Sequence, residues 1–288
     1  MKKERKAIYN SPKHHMVGDG FRVFNYFPNN LHGFKEVDPF LMFDYNEPHN
    51  FPPSEHKKGV GAHPHRGFET VTIVFEGALE HRDSGGGGGM IEAGDVQWMT
   101  AASGVLHDEF HPLEFSQKGG RMHAIQLWVN LPSKNKMDKP SYQNLTADII
   151  PNLPLDKKGS MARVIAGDFH GTKGAASTYT PLEMYDIILK GGANVKFEVA
   201  ERQNTMILVT QGKVNANDDE LNFKDMLFFH QSGTEIEVQA SEDSRIMVLS
   251  GEPIGEPVAS YGPFVMNTQN ELVEAIEDFN SGKFGVLN

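Results

Sequence analysis

The sequence predicts an all-β protein made of two barrel- or sandwich-like halves, on three observations. Short alternating or apolar runs recur between turn residues, a spaced pattern in the first half returns in the second, and a stretch of different composition separates the two. In chain order the first-half runs are FRVFNYF (21–27), TVTIVFEG (70–77), DVQWMT (95–100) and MHAIQLWVNL (122–131). Period-two alternation buries one face of a strand, and Gly, Asn and Asp between the runs supply the turns. From Leu131 to Leu155 the text becomes LPSKNKMDKPSYQNLTADIIPNLPL, rich in Pro, Lys and Asn, which reads as a connector. The second half follows with YDIILKGG, TMILVTQG, DMLFFH, EIEVQA and RIMVLSG. Few helices are expected. In NELVEAIEDFNSGKF, Leu272, Ile276 and Phe279 repeat at helical spacing, with Asn270 as cap and Gly282 as stop, and a second short helix is expected near Leu145. The implied limits are a first barrel over 1–133, a connector over 134–158, a second barrel over 159–252 and a tail with its helix over 253–288.

The halves read as copies. FEGALE (75–80) and AGDVQWM (93–99) parallel TQGKVN (210–215) and FKDMLFF (223–229). Gly77 to Asp95 is 18 residues and Gly212 to Asp225 is 13, and the five glycines Gly85 to Gly89 account for the difference, since a glycine loop lengthens a hairpin at little cost.

Composition removes several functions. Without cysteine there are no disulfides, thiolate metal sites or cysteine nucleophiles, so any metal must be held by His, Asp and Glu. A net charge of −11, with no basic cluster beyond the first six residues, disfavours direct nucleic-acid binding. No run approaches the roughly 20 apolar residues of a membrane helix, and the start of the chain lacks the apolar core of a secretory signal, so a cytoplasmic protein with no membrane role is expected.

The chemistry concentrates in GAHPHRGFETVTIVFEG and SGVLHDEF. Residues two apart on a strand share a face, so His63 and His65 can aim two imidazoles at one point, and His107 and Glu109 repeat that spacing. Pairs on neighbouring strands would converge on one ion with three nitrogens and a carboxylate, a set suited to Fe(II), Mn, Ni, Cu or Zn. Strand histidines are also commonly half-buried side chains bonded to a carbonyl, and 13 histidines make accidental pairs easy. A rival pair, His81 and Asp83, follows its strand into the glycine loop and reads as solvated, while His14, His15, His111 and His123 have no paired partner. Counting back from Gly212 puts Glu198 and Ala200 opposite His63 and His65, so the second half lacks the histidine pair.

The segments HPHRGFETVTIVFEG, GDVQWMTAASGVLHDEF, QLWVNL and GEPIGEPVASYGPFVMNT resemble the pirin family of the cupin superfamily, over nearly the whole chain from DPFLMFDY (38–45) onward. The resemblance implies a bicupin of two face-to-face barrels, monomeric, with metal only in the N-terminal barrel. The family's four ligands fall on His63, His65, His107 and Glu109. Cupins in general take their carboxylate from the first motif, Glu69 here, which the pirin pattern leaves as an ordinary strand residue. The implied ion is one divalent transition metal, iron(II) first, with Mn, Ni, Cu, Co and Zn admissible. The implied activity is that of a quercetin 2,3-dioxygenase, acting with O2 on a small flavonol- or catechol-like aromatic, with Glu109 also taking the hydroxyl proton. A non-enzymatic alternative uses the same ligands: an iron-binding, redox-sensitive partner of a transcription factor or metabolic enzyme. Phe68, Trp98, Met99 and Phe110 are candidate walls for the ligand, although Trp98 and Met99 must face opposite ways on a regular strand, and Arg66 is expected in an ion pair. The five-glycine loop and NANDDELN (215–222) depart from the family pattern without touching a ligand position.

Overall fold

Strands are the element in which alternating sequence buries one face, and the computed structural model, which describes residues 1–28 and 33–287, consists mostly of them. The chain divides into two units, one made of Lys13–Lys35, Pro39–Ala147 and Ile254–Asn288, the other of Met1–Pro12, Glu36–Asp38 and Asp148–Pro253.

In the first unit an antiparallel seven-stranded sheet has the spatial order Ser141–Leu145, Val96–Thr100, Phe68–Glu76, Gly120–Asn130, Phe40–Phe51, Phe21–Phe27 and His14–Val17. A four-stranded sheet of the same unit runs Gly59–His65, Val105–Phe110, Ala78–Asp83 and Gly88–Glu92. The second unit repeats the plan: Arg5–Tyr9, Met226–Phe229, Asn204–Gln211, Ser244–Gly251, Leu182–Leu189, Met161–Ala166 and Asn152–Pro154 in one sheet, Asn194–Glu198, Glu235–Ala240, Lys213–Ala216 and Asp219–Asn222 in the other. The internal repeat is therefore a repeat of strand order. One apolar cluster, including Tyr185, Phe197, Ile207, Leu227 and Val248, lies at the centre of the second unit.

The contiguous domain limits expected from sequence need correction at three places. Arg5–Tyr9 pairs with Met226–Phe229, so the first residues belong with the later barrel. The expected connector contributes two edge strands, Ser141–Leu145 beside Val96–Thr100 and Asn152–Pro154 beside Met161–Ala166. Pro, Lys and polar residues suit such strands because an edge must discourage further pairing, so edge and linker look alike in composition. Near Leu145 the chain is thus extended and not helical. Third, the tail packs within the first unit, where Ala259, Phe264, Met266, Leu272, Ala275 and Phe284 form a small core.

The tail helix spans Gln269–Asn280. Its cap is Thr268 and not Asn270: the Thr268 hydroxyl accepts from Glu271 N, and the Glu271 carboxylate accepts from Thr268 N at 2.7 Å. This reciprocal pair satisfies two amides that the first turn leaves without helical partners. Arg66, expected in an ion pair, donates to Asp278 of this helix at 2.8 Å and lies over the Phe284 ring.

Candidate metal centre

Three neighbouring strands of the four-stranded sheet build the centre. Gly59–His65 and Val105–Phe110 pair so that His63 stands opposite His107 and His65 opposite Val105, and on the far side Val105–Phe110 pairs with Ala78–Asp83, placing Asp83 opposite His107 and His81 opposite Glu109. Residues opposite each other in an antiparallel ladder share a face, as do residues two apart, so His63, His65, His107, Glu109, His81 and Asp83 form one polar group on one face.

The rings of His63, His65 and His107 have centroids 4.2 to 4.8 Å apart, and one nitrogen of each lies within 4.8 Å of the others'. His63 Nδ1 is 2.9 Å from the Gly61 carbonyl and His65 Nδ1 is 3.4 Å from that of Pro263, while His107 Nδ1 is 3.3 Å from His81 Nδ1. With the Nδ1 edges so engaged, the Nε2 lone pairs are the ones left for a ligand. His107 Nε2 is buried with no hydrogen-bond partner, an expensive arrangement for a polar atom unless something else binds there.

Burial, reinforced by His63, pushes the His65 imidazole down to about 3, and burial followed by His65, His63 and His81 holds His107 well below its ordinary value. Both rings therefore keep their lone pairs at neutral pH, the state a metal ion requires. Glu109 lies 3% exposed, accepting from Thr72 Oγ1 at 3.3 Å and Gln126 Nε2 at 2.9 Å. It groups within 4.8 Å with His107 and His81, whereas the tight trio is His63, His65 and His107. Two buried imidazoles, the half-buried His63 and an adjacent carboxylate fit a divalent transition metal.

His63, His65 and Glu109 border a cavity of about 370 Å³. Its apolar walls are not those expected. Phe68, Trp98, Met99 and Phe110 do not line it; Phe21, Val23, Leu79, Ile125 and Trp128 do, with Trp128 edge-on to His65 at 5.2 Å. Phe68 instead supports the site from behind, 4.3 Å from the Trp128 ring and 5.1 Å from that of His65. Two cavity residues carry buried polar atoms without partners, Asn46 Oδ1 and Trp128 Nε1.

His81, read from sequence as solvated, is 3% exposed and belongs to the polar group. Leu79, His81 and Asp83 share a face of their strand, and the apolar Leu79 is the signal that this face turns inward. Glu69 points away from the cavity-lining Thr72 by strand alternation and accepts from Thr100 Oγ1 at 2.7 Å. His111 and His123 are buried, and His14 and His15 exposed.

A chain of two cupin barrels, one of them gathering histidines and a glutamate beside a cavity, is a bicupin with a candidate metal site. The pirin family model matches residues 20–129 and that of the pirin C-terminal cupin domain matches residues 184–285. The chain belongs to the pirin family. It is 44% identical to a Pseudomonas aeruginosa protein named "Putative quercetin 2,3-dioxygenase", covering 96% of this chain and 97% of that one, and 40% identical to a pirin-like protein of Caulobacter vibrioides, covering 86% and 87%. Among solved structures, a crystal structure of quercetin 2,3-dioxygenase from Acinetobacter baumannii superposes with a TM-score of 0.95 at 47% identity over 100% of both chains.

Proposed function

We propose that this pirin is a metal-dependent dioxygenase of the quercetin 2,3-dioxygenase type, acting on flavonol- or catechol-like aromatics with O2 at a mononuclear site held by His63, His65, His107 and Glu109, with iron(II) the first candidate ion. The observation that carries this reading is the meeting of the His63, His65 and His107 imidazoles next to Glu109, with His63, His65 and Glu109 on the wall of an apolar cavity. The names of the Pseudomonas and Acinetobacter relatives support the same class.

A divalent ion bound there supplies Lewis acidity that lowers the pKa of a coordinating hydroxyl, and open positions for small ligands. The chain's own residues do the rest. Phe21, Val23 and Trp128 give a flat aromatic an apolar surface, and a cavity of about 370 Å³ lies within the range of small-molecule sites. Asn46 Oδ1 is placed to accept from a substrate hydroxyl and Trp128 Nε1 to donate to a carbonyl, giving two buried polar atoms the partners they lack. Glu109 takes the proton of the reacting hydroxyl, with Thr72 and Gln126 holding its two oxygens.

The test is aerobic incubation of protein loaded with each metal in turn with quercetin, following loss of flavonol absorbance and release of carbon monoxide, beside His63→Ala and metal analysis of both. Turnover by the parent and loss of bound metal in the variant are expected. Fully loaded parent that leaves quercetin unchanged would point instead to a binding role for the same ligands, and stoichiometric metal retained in His63→Ala would remove His63 from the ligand set.

A further inference from the structure

The glycine loop and the His81–Asp83 pair take no part in the site proposed above, yet they connect to it through an unbroken series of donors and acceptors. Asp83 Oδ1 accepts from the amides of Gly85 at 2.8 Å and Gly87 at 2.9 Å, and Asp83 N donates to the Gly87 carbonyl at 2.9 Å. A Cβ on Gly87 would lie 2.4 Å from Asp83 Oδ2 and 2.7 Å from Tyr142 Cβ, so this wrapping requires glycine there. The other carboxylate oxygen, Oδ2, is 3.3 Å from His81 Nε2. Tyr142, from the edge strand Ser141–Leu145, stacks on the His81 ring at 5.3 Å and 14°.

A carboxylate can only accept, so the contact with Asp83 places the His81 proton on Nε2. The other nitrogen, Nδ1, faces the Gln97 amide nitrogen, a donor, at 3.0 Å, and meets it with a lone pair. His107 Nδ1, 3.3 Å from the same atom, shares that one lone pair as a second, longer donor, since two lone pairs facing each other would repel. The remaining lone pair of His107 is thereby fixed on Nε2, the buried atom that has no hydrogen-bond partner.

We propose that Asp83, anchored by the glycine loop, sets the tautomers of His81 and His107 in series and so keeps the Nε2 lone pair of His107 available to a metal ion. His81 and Asp83 are positioning residues of the metal centre, and the loop is the part that fixes Asp83. The proposal rests on the reading of His63, His65 and His107 as metal ligands. It adds the outer groups that hold one of those ligands in its binding form, as partners of ligating histidines generally do.

Asp83→Asn tests it sharply. The amide oxygen can still accept from Gly85 and Gly87, but its nitrogen would take the place of Oδ2 and donate to His81 Nε2. His81 would then carry its proton on Nδ1 and donate to His107 Nδ1, moving the His107 proton onto the nitrogen that should face the ion. Zinc(II), which is diamagnetic, serves as probe: affinity is measured by competition titration on metal-free full-length protein, and the protonation of each ring nitrogen by 15N NMR of the zinc-loaded parent.

The expected result is a roughly 10–100-fold weaker zinc affinity for Asp83→Asn, with Asp83→Ala, which leaves His81 free to choose its tautomer, less affected. In the parent, His81 is protonated on Nε2 and His107 on Nδ1. Asp83→Asn binding zinc within about threefold of the parent overturns the relay, as does a parent spectrum with His81 protonated on Nδ1. That spectrum decides the matter even if Asp83→Asn fails to fold. A parent that binds no zinc, iron or nickel overturns the ligand reading as well, so the two failures are distinguishable.

Discussion

Glu69 occupies the place in the first motif from which cupins in general draw a metal carboxylate, and its environment predicts a stability effect with a defined pH window. The side chain is 1% exposed, and burial, opposed by the hydrogen bond from Thr100, raises its carboxyl from 4.5 to about 7. A group whose folded pKa is raised contributes fully below the unfolded value and loses that contribution as pH climbs through the folded value. At about 1.4 kcal/mol per tenfold change in proton affinity, ionising Glu69 in place costs about 3 kcal/mol, close to nothing at pH 4 and nearly complete by pH 8. Glu69→Gln keeps an acceptor for Thr100 and has no charge to bury. In denaturant unfolding of metal-free protein at pH 4 to 8, the stability of Glu69→Gln relative to the parent should therefore rise by about 3 kcal/mol, most steeply between pH 4.5 and 7. Bound metal should be unchanged, because Glu69 faces away from the cavity. A difference flat to within about 0.5 kcal/mol across that range would refute the burial argument, and loss of metal would return Glu69 to the ligand set.

Three further outcomes follow from other parts of the molecule. In the second barrel the fully buried Asp186 accepts from Arg163 at 2.8 Å and from Arg245 at 2.7 and 2.6 Å; burial works to raise its carboxyl, and the two guanidinium groups more than offset it. Asp186→Ala leaves both cations without their carboxylate and should cost about 3–5 kcal/mol in denaturant unfolding at pH 7, a deficit that shrinks as acid protonates the parent's carboxylate below its ordinary value. Glu109→Gln should lower kcat on quercetin by about 100-fold at matched metal occupancy if the carboxylate takes the substrate proton; unchanged kcat would move that role elsewhere. Trp128→Phe keeps the apolar wall but removes the Nε1–H, so quercetin should bind about fivefold more weakly to metal-loaded protein by equilibrium titration, the value of one ordinary hydrogen bond.

What the sequence made legible was what period and spacing encode. The two-residue repeat of a strand puts His63 with His65, and His107 with Glu109, on common faces, and the five-residue difference between the halves falls at the longer hairpin that holds the glycine run. The cavity walls were not legible, because Phe21, Val23 and Trp128 come from strands far apart in sequence and alternation within one strand does not say which face meets a space. His81 reads as solvated because the adjoining glycines suggest exposure, although Leu79 two residues earlier marks the inward face. The edge strand at Ser141–Leu145 was hidden by a composition that edges and linkers share. The Thr268–Glu271 capping box stood in the sequence, immediately before the apolar run, and outranks Asn270 because it satisfies two amides at once.

The two barrels share a strand order, so the difference in what they can do lies in what occupies equivalent ladder positions. In the register set by Gly77 and Gly212, Phe197, Val199 and Ile236 stand where the first barrel has His63, His65 and His107, one residue from the positions given by counting back from Gly212, and all three are buried. In that barrel Tyr185, Phe197, Ile207 and Val248 join one continuous apolar cluster, and dispersion contacts stabilise it without a ligand. The other barrel forgoes part of that packing around a cavity of about 370 Å³ and buries a His107 nitrogen with no partner, two features that each destabilise an empty protein. Such features persist where a bound group offsets them, and an ion on the three imidazoles with an aromatic ligand beside it would fill the space and satisfy the nitrogen together. The filled core of one barrel supplies fold stability, which leaves the open one free to hold the proposed site.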